Sequence, residues 1–104
     1  MMPTSFSGFD WDTGNRDKCI KHGVPIGEIE EVFEGPVYVA PDPRHSIAEE
    51  RLIAIGRTTR GKMVFVAFTL RERTDGTSIR PISARYMHKK EIAAYEKKSS
   101  EAED

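Results

Sequence analysis

The chain holds 104 residues, 38% of them apolar, with 16 lysines and arginines against 17 acidic side chains for a formal net charge of −1. That length supports one modest core and excludes two independent ones, so residues 1–104 are expected to form a single domain. A lone cysteine excludes a disulfide-stapled secreted miniprotein. No apolar run approaches the roughly 20 residues of a membrane-spanning helix, and the N-terminus lacks a signal-peptide pattern, so a cytoplasmic protein with no membrane partner is expected.

In chain order, residues 1–8 read as a flexible N-terminal arm. A helix is expected to begin near Thr13 or Asn15, with Asp12 as its N-cap, and to stop at Gly23. Pro25 suits the entry to a second helix, in which Ile26, Ile29, Val32 and Phe33 recur at helical spacing and Glu28, Glu30, Glu31 and Glu34 fall on the polar side. Gly35-Pro36 ends it. Residues 37–40, "VYVA", form a short strand candidate, and the prolines of "PDPRHS" interrupt regular pairing after it. Three stronger strands follow at 51–58, 62–72 and 78–85, separated by the turn signals "TRG" and "RTDGT". The middle one is nearly continuously apolar, which suits a sheet interior, while Pro81 favours an edge for the last. A final helix is expected over about 86–97, with an acidic tail at 99–104. The fold class is therefore α+β: two N-terminal helices, a four-stranded, mainly antiparallel sheet and a C-terminal helix.

Charge is unevenly distributed. Residues 1–43 carry three basic and eight acidic side chains, residues 44–90 eleven and four, and residues 91–104 two and five. A middle at +7 between acidic ends places an anion-attracting patch behind a near-neutral total, provided that folding gathers it onto one surface.

Cys19 and His22 share one side of the first helix, but zinc needs two further ligands and no second cysteine or paired histidine motif supplies them. A packing or capping role suits both better, as burial suits Phe9 and Trp11. Cys19 also lacks an orienting third group for nucleophilic catalysis. Gly56 and Gly61 belong to strand and turn patterns, not to GxGxxG or a P-loop, so no cofactor and no metal is expected.

The segment "PDPRHSIAEER" and the basic positions after it carry different chemistry. Cleavage of an RNA phosphodiester needs a base for the ribose hydroxyl, an acid for the leaving oxygen and cations around the growing phosphate charge. His45, Glu49 and Glu50 are acid/base candidates. Arg44, Arg57, Lys62, Arg80 and Arg85 are candidate phosphate binders, and His88 and Lys89 of "ARYMHKK" border the same prospective groove. Arg57 alternates in phase with Ile53 and Ile55, and Arg80 with Ile82 and Ala84.

The ordered set "FDWD" (9–12), "GNRDKCIKHGV" (14–24), "EVF" (31–33), "DPRHS" (42–46), "ERLIAIGRTTRGKMVFVAFT" (50–69) and "IRPISARYMHKKEIAAYE" (79–96) resembles the BrnT family of ribonuclease toxins. The chain departs from that pattern at Cys19, where asparagine is usual, at Thr13, and through Pro81 in "IRPIS". The resemblance implies a compact α+β fold related to the RelE-type ribonucleases, cleavage of RNA, and inhibition by a BrnA-type antitoxin. Such an antitoxin carries the DNA-binding part, so operator DNA would be a partner only indirectly, in a complex that represses its own operon. Arg57, Lys62, Arg80 and Arg85 fit the recurring basic pattern of the family.

The expectation is thus a sequence-relaxed, metal-independent endoribonuclease. Its expected catalytic set is His45, Glu49, Lys62, Arg80 and Arg85, and its RNA-binding set is Arg44, Arg57, Lys62, Arg80, Arg85, His88 and Lys89. Two other readings are a toxin-like protein that only binds an antitoxin, and an RNA binder without cleavage, for which no RRM or KH signature is present.

Overall fold

The computed structural model describes residues 6–42, 44 and 49–103, the last five as backbone only. Its elements are β1 (Gly8–Phe9), α1 (Thr13–Ile20), α2 (Ile26–Glu34), β2 (Val37–Pro41), β3 (Leu52–Arg57), β4 (Met63–Arg73), β5 (Gly76–Tyr86) and α3 (Lys89–Glu103). The strands form one sheet in the order β1-β5-β4-β3-β2, with β1 parallel to β5 and the other pairs antiparallel. The α+β layout agrees with a RelE-type toxin fold. The sheet has five strands where the sequence pattern gave four, because two residues of β1 are too few to show an alternation. Their pairing, Gly8 with Ser78 and Phe9 with Ile79, is set by tertiary contact. At the other end of the chain the helix continues to Glu103, past the end expected near residue 97.

Asp12 caps α1 as its position predicts. Its side chain accepts from the Asn15 backbone N–H at 3.0 Å, and the Asn15 side chain accepts from the Asp12 N–H at 2.7 Å, closing a reciprocal capping box. Asn15 is buried, and its amide also donates to the carbonyls of Asp10 (2.9 Å) and Pro81 (2.8 Å). One side chain thereby fixes β1, the start of α1 and β5 relative to one another.

The two N-terminal helices cover one face of the sheet. Cys19, Val24, Ile29, Val32 and Phe33 from that side pack on Leu52, Ala54, Val64, Val66, Phe68, Ile79 and Ala84. Edge-to-face contacts link Phe6, Phe9, Phe33 and Phe68 at centroid distances of 5.4, 5.8 and 5.0 Å, so the N-terminal strand is sealed to the core by aromatic area. Gly56 permits the close approach of α2 to β3: a Cβ there would stand 3.0 Å from Val32 Cγ1 and 3.1 Å from its carbonyl oxygen.

Strand alternation turns Ile53, Ile55, Arg57, Phe65, Ala67 and Arg85 toward the opposite face. There α3 is tied down by Arg85–Glu91 and by an edge contact between Tyr38 and Tyr95 at 5.8 Å. The phase expected for Arg80 holds for Ile82, which lines the same depression, and fails for Ala84 for a local reason. Ser83 pairs with Ala67 and Pro81 with Phe68, so Ile82 is an extra residue at a bulge; Ala84 and Ile79 are then buried on the helix side while Arg80 turns away from them. The edge expected from Pro81 is also modified. By strand order β5 is interior, but β1 covers only Ser78 and Ile79, and Asn15 meets the Pro81 carbonyl beyond that cover.

Candidate functional site

The turn between β3 and β4 is held by its own backbone: the Thr58 N–H donates to the Lys62 carbonyl and the Gly61 N–H to the Thr58 carbonyl, both at 2.9 Å. Gly61 has φ +82°, a conformation that disfavours side chains, which explains the glycine beside Lys62. Arg57 donates to the Gly61 carbonyl at 3.0 Å. The Met87 N–H donates to the Met63 carbonyl at 3.0 Å and so sets the junction between β5 and α3 beside this turn. Arg57, Arg60 and Lys62 from the turn and Arg85, His88 and Lys89 from the junction therefore rim one end of the sheet. All of them are exposed except Arg85, which is partly buried.

At the centre of that rim stands Tyr86. Its hydroxyl donates to Glu28 Oε1 at 2.8 Å, and Lys62 Nζ lies 5.5 Å from its ring centroid. Glu28 lies in the first turn of α2, and its side chain is only 8% exposed; Arg60 Nη1 approaches its other oxygen at 3.5 Å. The hydrogen bond to the Glu28 carboxylate, assisted by partial desolvation, raises the Tyr86 phenol above its ordinary value. On the opposite face, Arg85 grips Glu91 through two parallel bonds of 2.7 and 2.8 Å and lies 4.7 Å from the Phe65 ring centroid. That fork, with help from the His88 N–H, pulls the Glu91 carboxyl down to about 2.

The other predicted residues are distributed differently. Arg80 donates to Asp12 at 2.8 Å and stands 3.5 Å from Asp10, which also pairs with Arg73. The Asn15 N–H and the Arg80 guanidinium hold the Asp12 carboxyl below the usual range. An open depression beside this cluster is lined by Gly14, Asn15, Lys18, Arg80 and Ile82. Glu49 pairs with Arg71 at 3.2 Å, and Arg71 is nine residues along β4 from Lys62, about 30 Å at strand rise. Glu49 and Lys62 therefore do not meet at one phosphodiester. Glu50 and Arg44 are exposed, and His45 lies outside the described residues.

Cys19 is fully buried, and desolvation pushes its thiol up to about 11, which suits packing and disfavours a nucleophile. His22 is exposed, and among the described residues no group of three or more His, Cys, Asp or Glu side chains is placed to hold a metal ion.

Glu28, Arg60 and Tyr86 escaped the sequence reading as site residues. Glu28 reads in the sequence as one of four polar-side helix acids, and Tyr86 as a residue of "ARYMHKK" without a role of its own. A glutamate in the first turn on the border of the apolar stripe of α2, between Ile26 and Ile29, is the one signal that separated it from its neighbours.

The family model described as "Ribonuclease toxin, BrnT, of type II toxin-antitoxin system" matches residues 11–91, an interval that contains the whole rim. A search of curated proteins gave no match.

Proposed function

The chain belongs to the BrnT family of ribonuclease toxins, RNA-cleaving proteins neutralised by a cognate antitoxin, and from that premise we propose that the β3–β4 turn and the β5–α3 junction form its RNA-cleaving surface. The observation that carries this reading is the gathering of Arg57, Arg60, Lys62, Arg85, His88 and Lys89 at one end of the sheet, held by the Met87–Met63 backbone bond. Arginine forks suit non-bridging phosphate oxygens, and Lys62 adds a compact charge. Their summed field stabilises the dianionic phosphorane that forms when the ribose 2′-oxygen attacks phosphorus. The products of that internal attack are a 2′,3′-cyclic phosphate and a 5′-hydroxyl.

In this reading Arg80 is a structural residue, because two aspartates already occupy its guanidinium. Arg85 is shared: its fork holds Glu91 in the free chain, and phosphate competes with that carboxylate for it. The reaction proceeds without a metal, in a single cytoplasmic domain. A BrnA-type antitoxin covers the basic rim and supplies the operator-DNA contact through which the pair represses its own synthesis.

The test is incubation of the purified, chelator-treated chain with a defined RNA, with and without the separately purified antitoxin, followed by mapping of both product ends. Antitoxin-suppressed cleavage leaving cyclic phosphate and 5′-hydroxyl ends is expected. Equal cleavage of an RNA with a 2′-deoxy residue at the scissile position would reject internal attack.

A further inference from the structure

We propose that Tyr86 and Glu28 form the proton-transfer pair of this ribonuclease, with the Tyr86 hydroxyl touching the ribose 2′-hydroxyl and Glu28 accepting the proton through it. The inference rests on the basic rim being the RNA-cleaving surface, and it names a proton acceptor held in place beside the rim's cations, where the rim's own imidazole, His88, is exposed. Arginines and lysines neutralise charge, but the 2′-oxygen must also lose its proton, and at neutral pH none of those cations is a base.

Three observations select this pair. Glu28 is the one buried carboxylate among the described residues, whose other acids with described side chains are partly or fully exposed. Its Oε1 is committed to the Tyr86 hydroxyl at 2.8 Å, while Arg60 approaches Oε2 at 3.5 Å, so the carboxylate is held in place and the phenol is its outlet to the rim. Tyr86 is only partly buried, and Lys62 sits over its ring, 5.5 Å from the centroid, where a phosphate held by Lys62 would bring its own ribose to the phenol oxygen. A purely structural tie of α2 to the sheet would be served equally by apolar packing, as it is between α2 and β3 at Val32 and Gly56. Burying a carboxylate instead carries a desolvation cost that calls for a reason.

The step balances within the substrate and the two side chains. The 2′-O–H bond breaks as a new O–H bond forms to the Tyr86 oxygen; the proton that Tyr86 already carries passes to Glu28 Oε1. The 2′-oxygen then bonds to phosphorus, the P–O5′ bond breaks, and the 5′-oxygen leaves as a hydroxyl on taking a proton from solvent. Glu28 returns its proton to solvent through Tyr86 before the next turnover.

The experiment measures single-turnover cleavage of a short RNA across pH 4 to 8 by the full chain and by Tyr86→Phe, Glu28→Gln and Glu28→Asp, with RNA affinity and thermal melting measured in parallel. Glutamine keeps the shape of Glu28 and an oxygen for Tyr86 to bond, so the fold is spared. Loss of general-base catalysis lowers cleavage by about 100-fold or more in Tyr86→Phe and Glu28→Gln, with RNA affinity unchanged. The wild-type rate falls on the acid side of its pH profile, and that acid limb vanishes from the residual activity of Glu28→Gln. Glu28→Asp restores a measurable part of both rate and limb. Wild-type rates in Tyr86→Phe, or an acid limb preserved in Glu28→Gln, would overturn the pair. A variant that loses RNA affinity or melting temperature in step with cleavage would reduce it to a structural contact and overturn it equally. Arg57→Ala reports on the rim separately, because it weakens RNA binding while the acid limb stays where it was.

Discussion

The two ends of the sheet use the same residue types for opposite purposes. Near the β4–β5 hairpin, Arg73 and Arg80 are answered by Asp10 and Asp12, and Arg71 by Glu49. Asp10 and Asp12 of the acidic N-terminal part hold Arg73 and Arg80, and the result is a clamp on β1 and α1. At the β3–β4 turn, among the described residues, the Arg57 side chain bonds a backbone carbonyl and Lys62 an aromatic face, with no acidic partner for either, so their charge is available to an anion. Whether an arginine is structural or functional is decided here by where acidic side chains fall in space.

The largest effect expected from breaking that contrast is on cleavage. Lys62→Ala combined with Arg57→Ala should slow RNA cleavage by about 100-fold, near 2.7 kcal/mol of transition-state stabilisation, while the melting temperature stays put because both side chains are exposed. Unchanged cleavage in this double variant would remove the rim from the mechanism.

Asn15→Ala attacks the other end through the fold. It leaves the buried carbonyl of Pro81 and the partly buried Asp10 carbonyl and Asp12 N–H without their side-chain partner, so destabilisation of about 2 kcal/mol is expected in urea unfolding. A loss below about 0.5 kcal/mol would show that water replaces the amide.

Arg80→Ala should be milder and sharpens the comparison most directly. Removing a partly exposed guanidinium from two aspartates costs about 1 kcal/mol of stability, with cleavage by the folded protein within about threefold of the wild type. A 100-fold loss of cleavage with stability intact would move Arg80 from the clamp to the catalytic surface.

The smallest effect is on pH dependence. Arg85 holds Glu91 depressed to about 2 from an ordinary 4.5, so this pair contributes its full stability above about pH 4.5 and loses it as pH falls towards 2. Glu91→Gln should therefore melt below the wild type at neutral pH, by an amount that shrinks on acidification and in high salt. A gap independent of pH would show that α3 is held by other contacts, such as Tyr38–Tyr95.

Much of this molecule was legible along the chain. Asp12 as N-cap, Pro25 before α2, the long apolar β4 and the in-phase Ile53, Ile55 and Arg57 all follow from local rules, because capping, helix entry and strand alternation are decided within a few residues. The failures share one physical cause. β1 is recognisable only by its partner β5, the phase of Arg80 is set by a bulge opposite Phe68, and the role of Glu28 is set by a tyrosine 58 residues away.

By itself, then, the sequence determined the α+β class, the limits of most elements, the family and the excess of cations in the middle of the chain, since these depend on composition, periodicity and motif order. Only the tertiary structure decided which of those cations were neutralised, set Glu49 and Lys62 at opposite ends of β4, and buried Glu28 against Tyr86. Charge pairing and desolvation act through distances in space, and residues far apart in sequence become neighbours only once the strands have found their register.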